Sequence, residues 1–243
     1  MPRLIDMILN SLKILEYNQL SSIKNHFSQL LISMENTDTL TTPRHPVLLV
    51  HGIYDTEAKL RVMAQHLRQQ GWEVHCINLS PNDGSASLAV LAQQVADYIE
   101  ATFPSTQTID LVGFSMGGVV TRYYLQRLEG TARIARYISI SAPNQGTLLG
   151  FSLPLTGVLE MRWQSQFLQD LNRDYHQHLV NVQMTILWTP FDLMILPPSS
   201  SQLALGKEIV LPVPVHAWMV SDRLCLAAVT TALQEPLTES LAS

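Results

Sequence analysis

Gly113-Phe114-Ser115-Met116-Gly117 carries the pattern Gly-x-Ser-x-Gly between an apolar run, IDLVG at 109–113, and a segment of helical character at 116–129. A serine on so sharp a strand-to-helix turn has its hydroxyl lifted above the sheet edge, where it can attack a carbonyl. Gly113 and Gly117, at minus two and plus two, have a steric purpose, because a side chain at either would collide where strand and helix cross closely. Ser115 also opens its helix, whose orphan N–H groups and dipole favour negative charge developing nearby. A serine nucleophile needs a base, and the base needs an orienting carboxylate. Around such a turn they follow in the chain order serine, acid, histidine. Of the eight histidines, His216 in VPVHAW alone follows the last strand that could bear the acid. His26, His45, His66 and His75 precede the serine, and His176 and His178 lie in a polar helical stretch. Asp192 comes directly after the strand signal QMTILWT, in TPFDLM. Asp170 and Asp174 fall inside a predicted helix and Asp222 follows the histidine, so each fits the order less well.

The intermediate formed when a serine attacks a carbonyl also needs hydrogen-bond donors for its oxyanion. The backbone N–H of Met116, the residue after the nucleophile, is one candidate. The other is the N–H of Ile53, in the loop His51-Gly52-Ile53, where Gly52 permits the turn that points the amide inward. His51 itself reads as a residue that holds this loop rather than one that moves protons.

Elements must bring these positions together, and the pattern from Pro46 onward supplies them. Strand signals fall at 46–50, 72–79, 109–113, 134–143, 183–189 and 208–213. Helical periodicity falls at 57–70, 87–101, 116–129, around 163–179 and near 216–234. Repeated strand, crossover helix, strand units predict an α/β fold: a mostly parallel sheet with helices on both faces. Ligands of such sheets bind at the carboxyl ends of the strands, which is where Ile53, Ser115, Asp192 and His216 would meet.

Residues 1–36 stand apart as one broken or two short amphipathic helices, expected to pack on the body, and 36–46 read as a linker. Residues 46–243 then form a single domain, since a chain of 243 residues is too short for two full ones. The net charge of −5, with no Lys/Arg clusters, gives no footprint for nucleic acid. Cys76 and Cys225 are far apart among apolar residues, without disulfide or metal-ligand spacing, and no export signal or membrane-spanning run is read; a cytoplasmic setting is expected. Only 14% of residues are charged, so the surface should carry more apolar area or uncharged polar groups than usual.

The pieces HGIYDT, LSPNDGSASL, DLVGFSMGGVVTRYYLQRL, SISAPNQGT, WTPFDLMILPPSS and VPVHAWM resemble the small bacterial and cyanobacterial triacylglycerol lipases and esterases of the α/β-hydrolase fold. The resemblance covers roughly 46–230. It implies Ser115 as nucleophile, Asp192 as acid, His216 as base, and the Ile53 and Met116 amides as oxyanion donors. One position departs from the pattern: relatives commonly carry Pro-His-x-Gly-Thr where this chain has Pro143-Asn144-Gln145-Gly146-Thr147.

The expected activity is hydrolysis of lipid-like carboxylic esters through an acyl-enzyme, with no metal or organic cofactor. The alternatives are thioesterase, amidase or acyltransferase chemistry on the same three residues, or a catalytically silent binding protein. Candidates for an apolar acyl pocket are Tyr54, Phe151, Leu193, Met194 and Trp218, with Ile53, Leu153, Leu155, Met161, Phe167 and Ile195 behind them. The insert after Thr147 is too short for a cap domain, so at most a small lid is expected. An apolar rim around the cleft would allow transient contact with a membrane surface.

Overall fold

The computed structural model describes residues 44–237. The N-terminal helices expected over 1–36 lie outside the described residues. Six strands, β1 (Val47–Val50), β2 (Val74–Ile77), β3 (Ile109–Phe114), β4 (Ile134–Ile140), β5 (Gln183–Trp188) and β6 (Lys207–Val210), form one sheet in the order β2-β1-β3-β4-β5-β6. Every neighbouring pair is parallel. The chain leaves β1 for β2 on one side, then crosses back to β3 on the other side of β1. Connections therefore diverge between β1 and β3, the switch point where an open parallel sheet leaves a crevice at its carboxyl edge.

The period-two alternation of strand side chains divides the core into two layers. Leu48, Val50, Leu111, Tyr137, Met184, Ile186 and Trp188 face one side. There they meet α2 (Leu88–Thr102), α3 (Met116–Arg127), α5 (Gln166–Arg173) and α6 (Tyr175–Leu179). Val47, Leu49, Val112, Phe114, Ile138, Ile140 and Leu187 face the other, against α1 (Arg61–Gln69) and α7 (Arg223–Gln234). Strands buried on both faces read as continuous apolar runs, which is why β1 and β3 stood out in the sequence. The short α4 (Thr156–Glu160) and a 3-10 turn at Leu148–Phe151 are the helical structure between β4 and α5, so no large lid covers the sheet edge.

Two helices differ from their sequence reading. The stretch expected as one helix over 163–179 breaks at Asp174, whose φ of −131° is not helical and whose carboxylate accepts from Arg127 of α3 at 3.0 Å. The closing helix begins at Arg223 rather than 216, because the Asp222 side chain caps it by accepting from the Leu224 amide. The residues ahead of that cap form a separate 3-10 turn, His216–Trp218. Among the described residues no helix is long and apolar enough to cross a membrane.

Candidate active site

The end of β3 delivers Ser115. Its backbone takes φ 54° and ψ −124°, a conformation L side chains rarely adopt, at the cost of about 1–3 kcal/mol that the surrounding structure must absorb. The turn is held so tightly that side chains are excluded around it. A Cβ on Gly117 would lie 2.4 Å from His51 O and 2.6 Å from Val50 O, and one on Gly113 would lie 2.7 Å from Gly118 Cα. Gly118, which the five-residue motif does not include, is as constrained, since its Cβ would fall 2.4 Å from that of Ala142. Behind the turn, Thr121 Oγ1 donates to Gly117 O at 2.7 Å and Tyr137 OH donates to Gly118 O at 2.6 Å, fixing the first turn of α3.

Ser115 does not cap α3 with its side chain. Its Oγ instead lies 3.0 Å from His216 Nε2, and His216 Nδ1 lies 2.7 Å from Asp192 Oδ2. With the ring proton on Nδ1 donated to the carboxylate, Nε2 is left to accept from the serine hydroxyl. Asp192 is buried, and its second oxygen, Oδ1, accepts from the amides of Met194 and Ile195, each at 2.9 Å. Both carboxylate oxygens are thereby committed, one to orienting the ring and one to its own loop. The ring also packs on Phe114, centroids 4.9 Å apart. Thr189 Oγ1 donates to Val213 O at 2.6 Å, tying the loop that bears Asp192 to the loop that bears His216. Three residues distant in sequence thus form one buried serine-histidine-aspartate relay of the serine-hydrolase type.

The exit of β1 forms the facing wall. His51 is buried and locks this loop: its Nδ1 lies 2.8 Å from Gly52 O, and its Nε2 accepts from the Leu79 amide at 3.0 Å. Gly52 presses against the nucleophile, for a Cβ there would lie 3.0 Å from Ser115 Cβ and 3.4 Å from its Oγ. The amides of Ile53 and Met116 have no acceptor among the described residues.

A cleft of about 370 Å³ opens on Ser115 and His216. Of the residues expected to line an acyl pocket, Ile53, Leu193 and Met194 are in its wall, whereas Tyr54, Phe151 and Trp218 are exposed on the surface outside it. Ile195 and Met161 are buried in the body and Phe167 stacks on Tyr123. Phe114, Phe191, Pro214, Val215 and Ala217 complete the apolar wall, and Asp55 and Lys59 add charge to it. No motif or spacing marks these residues in the sequence, although Phe191 adjoins Asp192 and Val215 adjoins His216. Among the described residues no group of three or more His, Cys, Asp or Glu is placed to hold a metal ion.

The loop after β4 supports the acid. Thr147 Oγ1 donates to Met194 O and accepts from the Leu196 amide, both at 3.0 Å, and the Leu148 amide donates to Leu196 O at 2.9 Å. Asn144, where relatives commonly carry histidine, is buried away from the cleft: it accepts from Arg122 Nη1 at 3.2 Å and donates to Ser201 O at 2.7 Å. Arg122 is wholly buried and hydrogen-bonded to the neutral oxygens of Gln126, Asn144 and Asn172, so burial brings its pKa down to about 10. It still carries its charge at neutral pH.

With this geometry in view, the relationships to known proteins are consistent. The mature lipase BlEst2 of Bacillus licheniformis superimposes with a TM-score of 0.65, covering 81% of this chain and 96% of that one at 14% identity. The fold is that of the α/β-hydrolase superfamily. A family profile described as palmitoyl protein thioesterase matches residues 46–159. Human lysosomal thioesterase PPT2 is 31% identical over 107 residues, 42% of this chain and 34% of the relative. A triacylglycerol lipase of Pseudarthrobacter phenanthrenivorans is 26% identical over 118 residues, 45% of this chain and 36% of the relative. The chain therefore spans about a third of the length of these curated relatives, and it is related both to palmitoyl thioesterases and to bacterial lipases. The profile match takes in β1 through β4 with Ser115 and stops before Asp192 and His216.

Proposed function

We propose that this α/β-hydrolase cleaves lipid-like carboxylic esters through a covalent acyl-serine, in the manner of the small bacterial lipases and esterases. The observation that carries the reading is the continuous hydrogen-bonded path from Asp192 through His216 to the strained Ser115. His216 Nε2 takes the hydroxyl proton as Ser115 Oγ attacks the ester carbonyl. The oxyanion is received by the Ile53 and Met116 amides, which have no other acceptor among the described residues, each worth about 3 kcal/mol in the transition state. The imidazolium, held by Asp192, then gives its proton to the departing alcohol. Water enters, His216 takes its proton, and the acid leaves as Ser115 is restored. No step needs a metal or organic cofactor.

The apolar wall of Phe191, Leu193, Met194 and Val215 suits an acyl chain, and the openness of the site, without a large lid, suits substrates of varied size. Thioester hydrolysis is the second reading, favoured by the palmitoyl protein thioesterase profile over 46–159. Rates on an oxygen ester, a thioester and an amide of one fatty acid separate these chemistries. The expected result is turnover of the oxygen ester at the highest kcat/KM, lost in Ser115→Ala. Full esterase activity in Ser115→Ala contradicts the mechanism, and a higher kcat/KM on the thioester moves the assignment to the second reading.

A further inference from the structure

Two charged side chains share the cleft of the nucleophile and have no part in the relay. Asp55 and Lys59, on the loop leaving β1 and the 3-10 turn Glu57–Leu60, line the same cleft as Ser115. Asp55 is held in place by its backbone: its amide donates to Gly52 O at 3.4 Å and its carbonyl accepts from Asn82 Nδ2. Its Oδ2 lies 3.2 Å from the point a Cβ on Gly52 would occupy, and Ser115 Oγ lies 3.4 Å from that same point. The carboxylate and the nucleophile thus both border Gly52, on the loop that presents the Ile53 amide, and both line one cleft. Among the described residues neither Asp55 nor Lys59 forms an ion pair.

A carboxylate lining this cleft does nothing for the chemistry alone, because it repels the negative charge that the oxyanion gains. Its position makes sense if it binds a part of the substrate. The cleft has two unlike walls: Phe191, Leu193, Met194 and Val215 from the β5 and β6 exits are apolar, while the β1 side presents a carboxylate and an ammonium. With the acyl chain along the apolar wall, the alcohol side of the ester faces Asp55 and Lys59. A plain alkyl alcohol there would strip water from both charges and return no hydrogen bond. A hydroxyl satisfies both, since it can donate to the carboxylate and accept from the ammonium.

We infer that Asp55 and Lys59 form an alcohol-side subsite that selects esters whose leaving group carries free hydroxyls, a polyol monoester in chemical class. This rests on the serine-hydrolase reading and adds a specificity to it. The test compares two esters of octanoic acid that differ only in hydroxyls, 1-monooctanoylglycerol and n-propyl octanoate, both below their solubility limits. The full-length protein should favour the glycerol ester by about 10- to 100-fold in kcat/KM, as expected for hydrogen bonds to charged groups. In the double variant Asp55→Ala, Lys59→Met that ratio should fall toward unity, and in Asp55→Ala alone the propyl ester should turn over faster because the repelling charge is gone. Turnover of the propyl ester is itself the check that the variants are folded. Equal kcat/KM for the two esters in the unaltered protein, or a preference that survives the double substitution, overturns the subsite alone. Turnover of neither ester, with Ser115 unreactive to a fluorophosphonate, overturns the hydrolase reading beneath it.

Discussion

Asp192 accepts from His216 on one oxygen and from two backbone amides on the other, which makes it the most informative single position for the relay. In Asp192→Asn the carbonyl oxygen can keep the two amides while the new NH2 faces His216 Nδ1. The ring must then accept there and carry its proton on Nε2, where it cannot take one from Ser115. We expect kcat to fall about 10³- to 10⁴-fold with the melting temperature little changed, measured by ester hydrolysis beside a thermal melt. Gly52→Ala should act differently. Its new Cβ reaches 3.0 Å from Ser115 Cβ at a backbone that tolerates alanine, so the protein should fold while fluorophosphonate labelling of Ser115 slows about 10²-fold, the cost of a small misplacement. Ser115, Asp192 and His216 were legible in the sequence because chain order and strand-end placement are local signals. Gly118, Asp55 and Lys59 were not: Gly118 is constrained by Ala142 of a different loop, and Asp55 and Lys59 join a cleft whose other walls come from far along the chain, which no spacing rule encodes.

At the scale of elements, the loop after β4 acts as a brace for the loop after β5. Thr147 joins them through its single hydroxyl, which both donates and accepts. Thr147→Val keeps the shape and removes both bonds, together with the one the hydroxyl accepts from the Leu149 amide at 3.3 Å. It should lower stability by about 1–3 kcal/mol through the unpaired backbone groups. It should also lower kcat more than it changes KM, as Asp192 loses its fixed loop. Thr147→Ser should restore both, and a valine variant with unaltered kcat contradicts the brace. The strands were the readable part of the fold, since β1, β3, β4 and β5 are buried on both faces and announce themselves as apolar runs. Helix ends were harder. The break at Asp174 depends on Arg127 from a different helix, which periodicity cannot register. The cap at Asp222, by contrast, is a local Ser-Asp signal ahead of an apolar stretch, and it was open to a closer reading.

Across the whole molecule, exposed apolar side chains are unevenly placed. Tyr54, Leu148, Leu149, Phe151, Leu153, Phe191, Leu193, Met194, Val215 and Trp218 all lie on the loops after β1, β4, β5 and β6, whereas Val62, Val90, Val180 and Leu237 are the others among the described residues. The exposed apolar surface is thus gathered on the loops that follow the strands, and four of its members, Phe191, Leu193, Met194 and Val215, line the cleft of the nucleophile. Such a rim should favour adsorption to neutral lipid. Replacing two of its exposed members, Leu193→Ser with Trp218→Ser, should reduce co-sedimentation with phosphatidylcholine vesicles and leave the melting temperature unaltered. Equal sedimentation of the variant and the unaltered protein contradicts that role for the rim.

If His216 activates Ser115 as a nucleophile, covalent capture reveals it without need of the natural substrate. The full-length protein is treated with a fluorophosphonate, its mass is measured intact, and the adduct is mapped by peptide sequencing. One adduct per chain is expected on Ser115, absent in Ser115→Ala and formed far more slowly in His216→Ala. A folded protein that takes up no label, or takes it up on another residue at the same rate in Ser115→Ala, contradicts it.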